Sequence, residues 1–178
     1  LNSLMMPFAT GVLAPTVCNQ GPYEKKKIPF DGYMKLAYLH PDVFQPDPHK
    51  INGTVGEKPY CILRSVRLNA HHDKTIHGLN PSLISQIIGK LEKAGYRVFI
   101  DSEETLSADI AKYGIKIKKN LFHHLIACSS LIVSDSQSIS VEAALLGVPS
   151  IRFNDFAGKI SVLEELEHKY GLTFGIKT

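Results

Sequence analysis

The chain has 178 residues, which suffices for one domain and a remainder but not for two full domains. Apolar residues make up 44% and charged residues 21%, so the composition predicts a folded globular protein and excludes a disordered or fibrous one. The formal net charge of +3 is too mild to indicate nucleic acid as a partner, and no apolar run approaches the ~20 residues of a membrane span. We therefore expect neither nucleic-acid binding nor an integral membrane protein.

The cysteines and the first residues bear on the protein's environment. Cys18, Cys61 and Cys128 are odd in number and widely spaced, which favours reduced thiols in a cytoplasmic protein over a disulfide framework or zinc knuckles. The chain begins with Leu1 instead of Met, and no basic stretch followed by an apolar one opens it. We expect the sequence to be a piece of a longer protein.

Prolines are concentrated at the beginning of the chain, where eight of the ten fall in the first 59 residues. Because proline fixes φ and lacks an N–H donor, this stretch is predicted to be mostly irregular, with a short strand at 11–14 and an extended piece at 33–39. Its apolar residues are too numerous for free exposure. We predict that residues 1–57 are the end of a truncated N-terminal domain and a proline-rich interdomain connection.

From residue 58 onward, short apolar runs alternate with amphipathic segments, which is typical of βαβ units around a buried parallel sheet. Asn80 followed by Pro81 predicts a helix start, and Gly95 predicts its end. The element order predicts an α/β fold with a doubly wound, Rossmann-like sheet over residues 58–178. The predicted strands are 60–63, 96–100, 131–133, 150–153 and 172–174. The predicted helices are 80–95, 104–113, 120–128, 137–146 and 160–171.

Polar residues follow four of these strands, and in a doubly wound sheet ligands bind outside the carboxyl ends of the strands. At the third of these places, the run from Ser134 to Ser138 opens a helix. Backbone N–H groups and the positive end of the helix dipole make such a turn suited to a phosphate. The alternative is that Ser136 or Ser138 is simply a helix cap, worth ~1 kcal/mol.

Glu142 lies one turn further into the same helix, beside the small residues Ala143 and Ala144. A carboxylate at this place can accept hydrogen bonds from both hydroxyl groups of a ribose. The alternative is a solvated helix glutamate, which is the more frequent environment of this residue type.

Two further pairs of basic residues have different predicted roles. Arg64 and Arg67 follow the first predicted strand and can meet a diphosphate as bidentate donors, whereas surface arginines are the alternative. His123 and His124 lie on an amphipathic helix, and we interpret them as structural.

Residues 71–77 contain three histidines and an aspartate, which suggests a metal site. The spacing is not that of two ligands on one helix face, and Gly78 and Pro81 predict a loop. An acid/base or substrate-contact role for His72 or Asp73 is therefore favoured, because histidine titrates near neutral pH.

The stretch 122–156, with DSQSISVEAALLGVPSIRFND at its centre, resembles the nucleotide-binding half of the glycosyltransferase-B fold, as found in UDP-N-acetylglucosamine 2-epimerases. In that group an Asp-Ser-Gly-Gly turn precedes a helix that carries a ribose-binding glutamate and ends at a Gly-x-Pro stop. Gln137 and Ser138 replace the two glycines here. The matching residues are Asp135, Ser136, Glu142, Gly147 and Pro149.

Three segments, GYMKLAYLHP, ILRSVRLNAHHD and AALLGVPSIRFND, resemble an uncharacterised family of predicted glycosyltransferases with this fold. The resemblance implies the C-terminal half of a two-domain enzyme, with the missing N-terminal domain of the same protein as its partner. It implies the donor-binding domain of a sugar-nucleotide-dependent glycosyltransferase of polysaccharide biosynthesis, inactive as this fragment alone. The alternatives are a UDP-N-acetylglucosamine 2-epimerase-like domain and a non-catalytic binding or scaffold module.

The resemblance also implies a nucleotide-sugar substrate, foremost a UDP-sugar, with no cofactor and no metal ion, since arginine and the helix dipole can balance the leaving nucleoside diphosphate. From the residues themselves we predict His72 and Asp73 as catalytic residues. We predict that Asn154 and Asp155 bind the donor sugar. The residues predicted to bind the nucleotide are Arg64, Arg67, Ser136, Gln137, Ser138 and Glu142.

Overall fold

A small two-stranded sheet and several single helical turns make up the first part of the chain, in a computed structural model that describes residues 2–65, 79–103, 105–153 and 157–177. Strands β1 (Val12–Pro15) and β2 (Lys27–Phe30) run parallel and are joined through a 3₁₀ helix (Gly21–Lys26). The short turns are α1 (Asn2–Met5), a 3₁₀ turn (Met6–Phe8), α2 (Leu36–Leu39), a 3₁₀ turn (Pro48–Lys50) and α3 (Asn52–Val55).

One of the two strands expected in this region is confirmed and the other is wrong. β1 begins one residue after the predicted start, whereas residues 36–39 form the helical turn α2 instead of an extended piece. The backbone N–H of Leu39 donates to the carbonyl of Lys35, and helical spacing brings Leu36 and Leu39 to one side of the turn, where Leu39 is buried. Burial of that side therefore decides the local conformation.

The main sheet has five parallel strands in the order β4-β3-β5-β6-β7, which confirms the predicted fold class. This order places the first strand of the sheet between the second and the third, so that the chain reverses direction across the sheet between β3 and β5. The strands are β3 (Tyr60–Ser65), β4 (Arg97–Ser102), β5 (Leu131–Ser134), β6 (Ser150–Phe153) and β7 (Thr173–Ile176).

Alternate residues of the central strands enter two different cores, because successive side chains of a strand point to opposite faces. Ile62 and Ile132 pack in one core with Ile51, just before α3, and Val55 of α3. Residues 2–57, which we call the connecting segment, therefore cover part of this face of the sheet. On the opposite face, Leu63 packs in the second core. The sheet is thus buried on both sides, as its nearly continuous apolar strands predict.

Four of the predicted helices are present and begin within two residues of the predicted starts, whereas the helix predicted over 104–113 is not formed. α4 (Pro81–Lys93) is capped by Asn80, whose side chain accepts a hydrogen bond from the N–H of Leu83 at 2.9 Å, and Gly95 with φ +88° follows its end. None of the helices in the described ranges is long and apolar enough to cross a membrane. The remaining helices are α5 (Phe122–Ala127), α6 (Gln137–Leu145) and α7 (Ser161–His168).

The helix predicted over 104–113 is wrong: the described part of this segment contains turns and a short 3₁₀ helix (Ala111–Tyr113). The segment returns to the edge of β4, where the N–H of Ile115 donates to the carbonyl of Ile100 at 2.9 Å. The division of the chain at residue 57 stays a prediction.

Candidate functional site

The carboxyl ends of four strands lie side by side and bring their polar residues to one edge of the sheet. Arg64 of β3 is in register with Asp101 of β4 and with Ser134 of β5, and Ser134 is in register with Arg152 of β6. The reversal between β3 and β5 falls in this row. In open α/β sheets, that crevice is where ligands bind.

Arg64 lies on the β3 side of the crevice and is paired with two carboxylates. Its guanidinium donates to Asp101 Oδ2 at 2.7 Å and to Glu103 Oε1 at 2.5 Å. The positive charge is therefore already balanced by protein groups. The side chain predicted to meet a diphosphate is held against the outer strand in this structure.

On the other side of the crevice, β5 leads into α6 through a buried turn. Ser134 is fully buried, and its Oγ accepts a hydrogen bond from the N–H of Ser136 at 2.8 Å. Asp135 is also buried and accepts from the N–H of Leu79 at 3.3 Å. These two residues hold the turn so that the first turn of α6 faces the crevice edge.

Ser136 occupies the N-cap position of α6, but its side chain makes no capping hydrogen bond. The first N–H groups of a helix have no partner within the helix. Because the serine side chain does not satisfy them, its occurrence here is not explained by capping. This start of a helix can accept an anion.

The next residue, Gln137, adds an unsatisfied amide to the same turn. Its side-chain oxygen and nitrogen are both buried and have no hydrogen-bond partner in the part of the chain that the structure describes. Buried polar atoms without partners are uncommon in native proteins. The turn thus contains polar atoms whose hydrogen bonds are not made within the described chain.

Glu142 is not the solvated helix glutamate of the alternative interpretation, since it is only 7% exposed. Its Oε1 accepts hydrogen bonds from Lys35 Nζ at 2.6 Å and from the hydroxyl of Tyr38 at 3.0 Å. Its Oε2 lies 3.3 Å from His123 Nε2. Three residues therefore hold the carboxylate in place: Lys35 just before α2, Tyr38 of α2 and His123 of α5.

Lys35 joins this carboxylate to the first turn of α6, because its ammonium group also donates to Ser138 Oγ at 2.6 Å and to the hydroxyl of Tyr38 at 3.0 Å. Burial lowers the pKa of Lys35, but the hydrogen bonds to Glu142 and Tyr38 and the charge of Glu142 outweigh it, so the pKa is raised. Lys35 is therefore protonated at neutral pH.

Lys35, Tyr38 and His123 were not identified as site residues by the motifs. Lys35 and Glu142 are 107 positions apart, so no local spacing pattern connects them. A local signal for their proximity exists, because residues three positions apart, such as Lys35 and Tyr38, share one side of a helical turn. The extended piece predicted at 33–39 does not place them so.

Arg152 is a second residue whose place the sequence did not predict. It is fully buried, and its Nη2 donates to Glu167 and lies 3.5 Å from Glu164. Its Nε and Nη1 have no partner within the described ranges. A Cβ on Gly175 would lie 2.9 Å from Nη2, so the glycine makes room for the guanidinium.

Five of the predicted site residues lie outside the described residues, and their roles stay predictions. Among the residues that are described, no group of three or more His, Cys, Asp or Glu side chains is arranged to hold a metal ion. The residues outside the described ranges are Arg67, His72, Asp73, Asn154 and Asp155.

A five-stranded parallel sheet with this strand order, helices on both faces and a polar edge at the chain reversal defines a Rossmann-like α/β domain, of the kind from which the glycosyltransferase-B fold is built. The chain is similar to the Methanocaldococcus jannaschii UDP-GlcNAc 2-epimerase, solved in complex with UDP-GlcNAc and UDP. The TM-score is 0.63 at 16% identity, over 96% of this chain and 51% of that one.

A second similar structure is a variant of the wall teichoic acid polymerase TagF, with a TM-score of 0.50 at 13% identity over 90% of this chain and 42% of that one. The chain therefore spans about half the length of the solved proteins it matches. At these identities the likeness concerns the fold, and it confirms the fold that the sequence motifs predict. No family model and no curated protein matches the chain.

Proposed function

We propose that this chain is the nucleotide-sugar-binding domain of a glycosyltransferase. The observation that carries the proposal is the first turn of α6, which lies at the chain reversal of the sheet without a side-chain cap, with a buried carboxylate one turn further on. A nucleoside diphosphate has an anionic part for the helix start and a ribose diol for a carboxylate. UDP is the nucleotide of choice, because the similar epimerase structure contains UDP and UDP-GlcNAc.

In this proposal, the diphosphate lies at the first turn of α6. The N–H groups of Gln137 and Ser138 and the hydroxyl of Ser136 donate to its oxygens, and the buried amide of Gln137 gains a partner. The helix start carries about half a positive charge, which stabilises the negative charge that develops on the leaving nucleoside diphosphate. Glu142 accepts from the ribose.

The remaining roles follow from the motifs. Arg67 would add positive charge near the diphosphate, and Asn154 and Asp155, after β6, would bind the donor sugar. His72 and Asp73 would act in proton transfer or contact the substrate. Arg64 takes part only if a phosphate displaces Asp101 or Glu103 from its guanidinium.

A nucleotide-binding assay tests the proposal. The chain is titrated with UDP, GDP, CMP and dTDP, and its thermal unfolding is followed. A nucleotide that binds this site raises the melting temperature, and at 100-fold over its Kd it stabilises the fold by about 2.7 kcal/mol. We expect Glu142→Ala and Ser136→Ala to reduce the shift.

Glu165→Ala is the matched control, because Glu165 on α7 also joins the connecting segment to a helix by accepting a hydrogen bond from Tyr33 at 2.7 Å. It should leave the nucleotide shift intact. If no nucleotide raises the melting temperature, the proposal is wrong, and the result agrees with a non-catalytic module. The proposal is also wrong if both site variants keep the full shift.

A second candidate function is 2-epimerisation of a sugar nucleotide. It is favoured by the similarity to an epimerase, which has the higher TM-score of the two structures compared above. Product analysis on the full-length protein separates the two candidates. An epimerised sugar nucleotide formed without any acceptor would contradict glycosyl transfer, whereas a product that forms only with an acceptor would contradict epimerisation.

A further inference from the structure

A partly buried ammonium group from outside the sheet lies against the first turn of α6. Lys35 immediately precedes α2, and its side chain is 22% exposed. All three of its N–H donors are occupied, by Ser138 Oγ, the hydroxyl of Tyr38 and Glu142 Oε1. The cation is thus positioned between the turn proposed for the diphosphate and the carboxylate proposed for the ribose.

A phosphate at the first turn of α6 needs positive charge from a side chain. Arg64 is already paired with Asp101 and Glu103. Among the cations of the described residues, Lys35 is the one with a contact to the first turn of α6. A nucleoside diphosphate carries at least two negative charges, and half a charge from the helix start does not balance them.

The hydrogen-bond partners of Lys35 allow an exchange with a phosphate. One of its three acceptors is the hydroxyl of Ser138, which can rotate and donate instead of accept, whereas the Tyr38 hydroxyl already donates to Glu142. A phosphate oxygen can replace the Ser138 hydroxyl on the ammonium group, and the freed hydroxyl can then donate to the same phosphate. The bond to Glu142 can persist, which keeps the ammonium group beside the anion.

Glu142 also has one hydrogen-bond acceptor position left for a ribose hydroxyl. A carboxylate has about four acceptor positions, and Lys35, Tyr38 and His123 use three of them. The position that remains belongs to Oε2. One ribose hydroxyl can therefore bind without disturbing Lys35.

We propose that Lys35 is a nucleotide-binding residue that contacts the phosphate group, so that the connecting segment completes a site otherwise built by the sheet domain. This inference rests on the proposed function of the α6 site. It predicts that Lys35 discriminates between a nucleotide and the corresponding nucleoside, because only the nucleotide has the anion.

The test measures the Kd of the chain for UDP and for uridine by NMR titration, which reaches millimolar Kd values. For Lys35→Met we expect the Kd for UDP to rise about tenfold, or about 1.4 kcal/mol, while that for uridine changes by less than about twofold. Lys35→Arg keeps the positive charge and should retain most of the preference for UDP. Lys169→Met is the matched control, because Lys169 pairs with Glu165 on α7.

The outcomes separate the two proposals. If the unsubstituted chain binds neither UDP nor uridine, the proposed function fails and this inference fails with it. If UDP binds but Lys35→Met lowers neither its affinity nor its preference over uridine, only the role of Lys35 is wrong. If Lys35→Met binds both compounds more tightly, Lys35 obstructs Glu142 and the inference is overturned. The melting temperature of Lys35→Arg shows whether the fold survives changes at this position.

Discussion

Ion pairs among the elements from β3 to β7, which we call the sheet domain, join residues closer in sequence than the polar contacts between this domain and the connecting segment. Arg64 pairs with carboxylates on β4 and directly after it, and Arg152 pairs with a carboxylate on α7. In each pair the two residues are at most 39 positions apart along the chain. Lys35 and Tyr33 reach Glu142 and Glu165 across more than 100 residues.

The difference concerns what holds each contact in place. Strand register alone brings Arg64 beside Asp101, so this pair forms wherever the sheet forms. The contact between Lys35 and Glu142 requires in addition that α2 docks on α6. We therefore expect the first kind to contribute to the stability of the fold, and the second kind to respond to ligands and to pH.

The largest effect is expected for Glu167→Ala, which removes a partner of the fully buried Arg152. Removing one partner of a buried ion pair costs up to about 3 kcal/mol, and Glu164, 3.5 Å from the guanidinium, offsets part of that loss. Chemical denaturation measures the effect. Arg152→Met removes the charge itself and should cost less, since Glu167 keeps the N–H of Gly175 as a donor. Equal stability of Glu167→Ala and the unsubstituted chain would contradict a structural role for this pair.

A smaller effect is expected for Lys35→Met, about 1 kcal/mol, because the ammonium group is partly exposed and its hydrogen bonds compete with water. The pKa of Lys35 is raised in the folded protein, so its contribution is fully present below the ordinary lysine pKa and is lost as the pH rises through the folded value. The difference in stability between the two proteins should stay constant at neutral pH and shrink in strong alkali. A difference that stays unchanged in strong alkali would show that the charge of Lys35 is not its cause.

The smallest effect is expected for Tyr33→Phe, which removes the hydrogen bond to the half-buried carboxylate of Glu165. Hydrogen bonds from Tyr33 and then Lys169 lower the pKa of Glu165. The stabilisation is therefore present above the ordinary glutamate pKa and is lost as the pH falls through the folded value. Unfolding curves of both proteins should converge in acid, and an unchanged difference down to pH values below that range would show that the bond is not the cause.

Much of the sheet domain could be predicted from the sequence, because its signals are local. Asn80, Pro81 and Gly95 mark the ends of α4 within one turn, and the strand predicted at 150–153 coincides with β6. The two wrong elements, at 33–39 and 104–113, both lie where contacts with distant parts of the chain outweigh local preference.

The candidate site divides in the same way. The motif from Asp135 to Glu142 was recognisable, because a turn that opens a helix and a carboxylate one turn later are encoded within eight residues. The chain reversal between β3 and β5, which makes this turn a candidate ligand site, depends on strand order and not on any segment alone.

The sequence by itself determined the α/β class, the strand edge with its polar residues and the helix that carries Glu142, since hydrophobic periodicity and turn residues act over short distances. Only the tertiary structure decided that Lys35 and Tyr38 meet Glu142 and that Arg64 is paired with Asp101 and Glu103. Such contacts depend on how packed elements are placed against one another, which no local pattern of residues records.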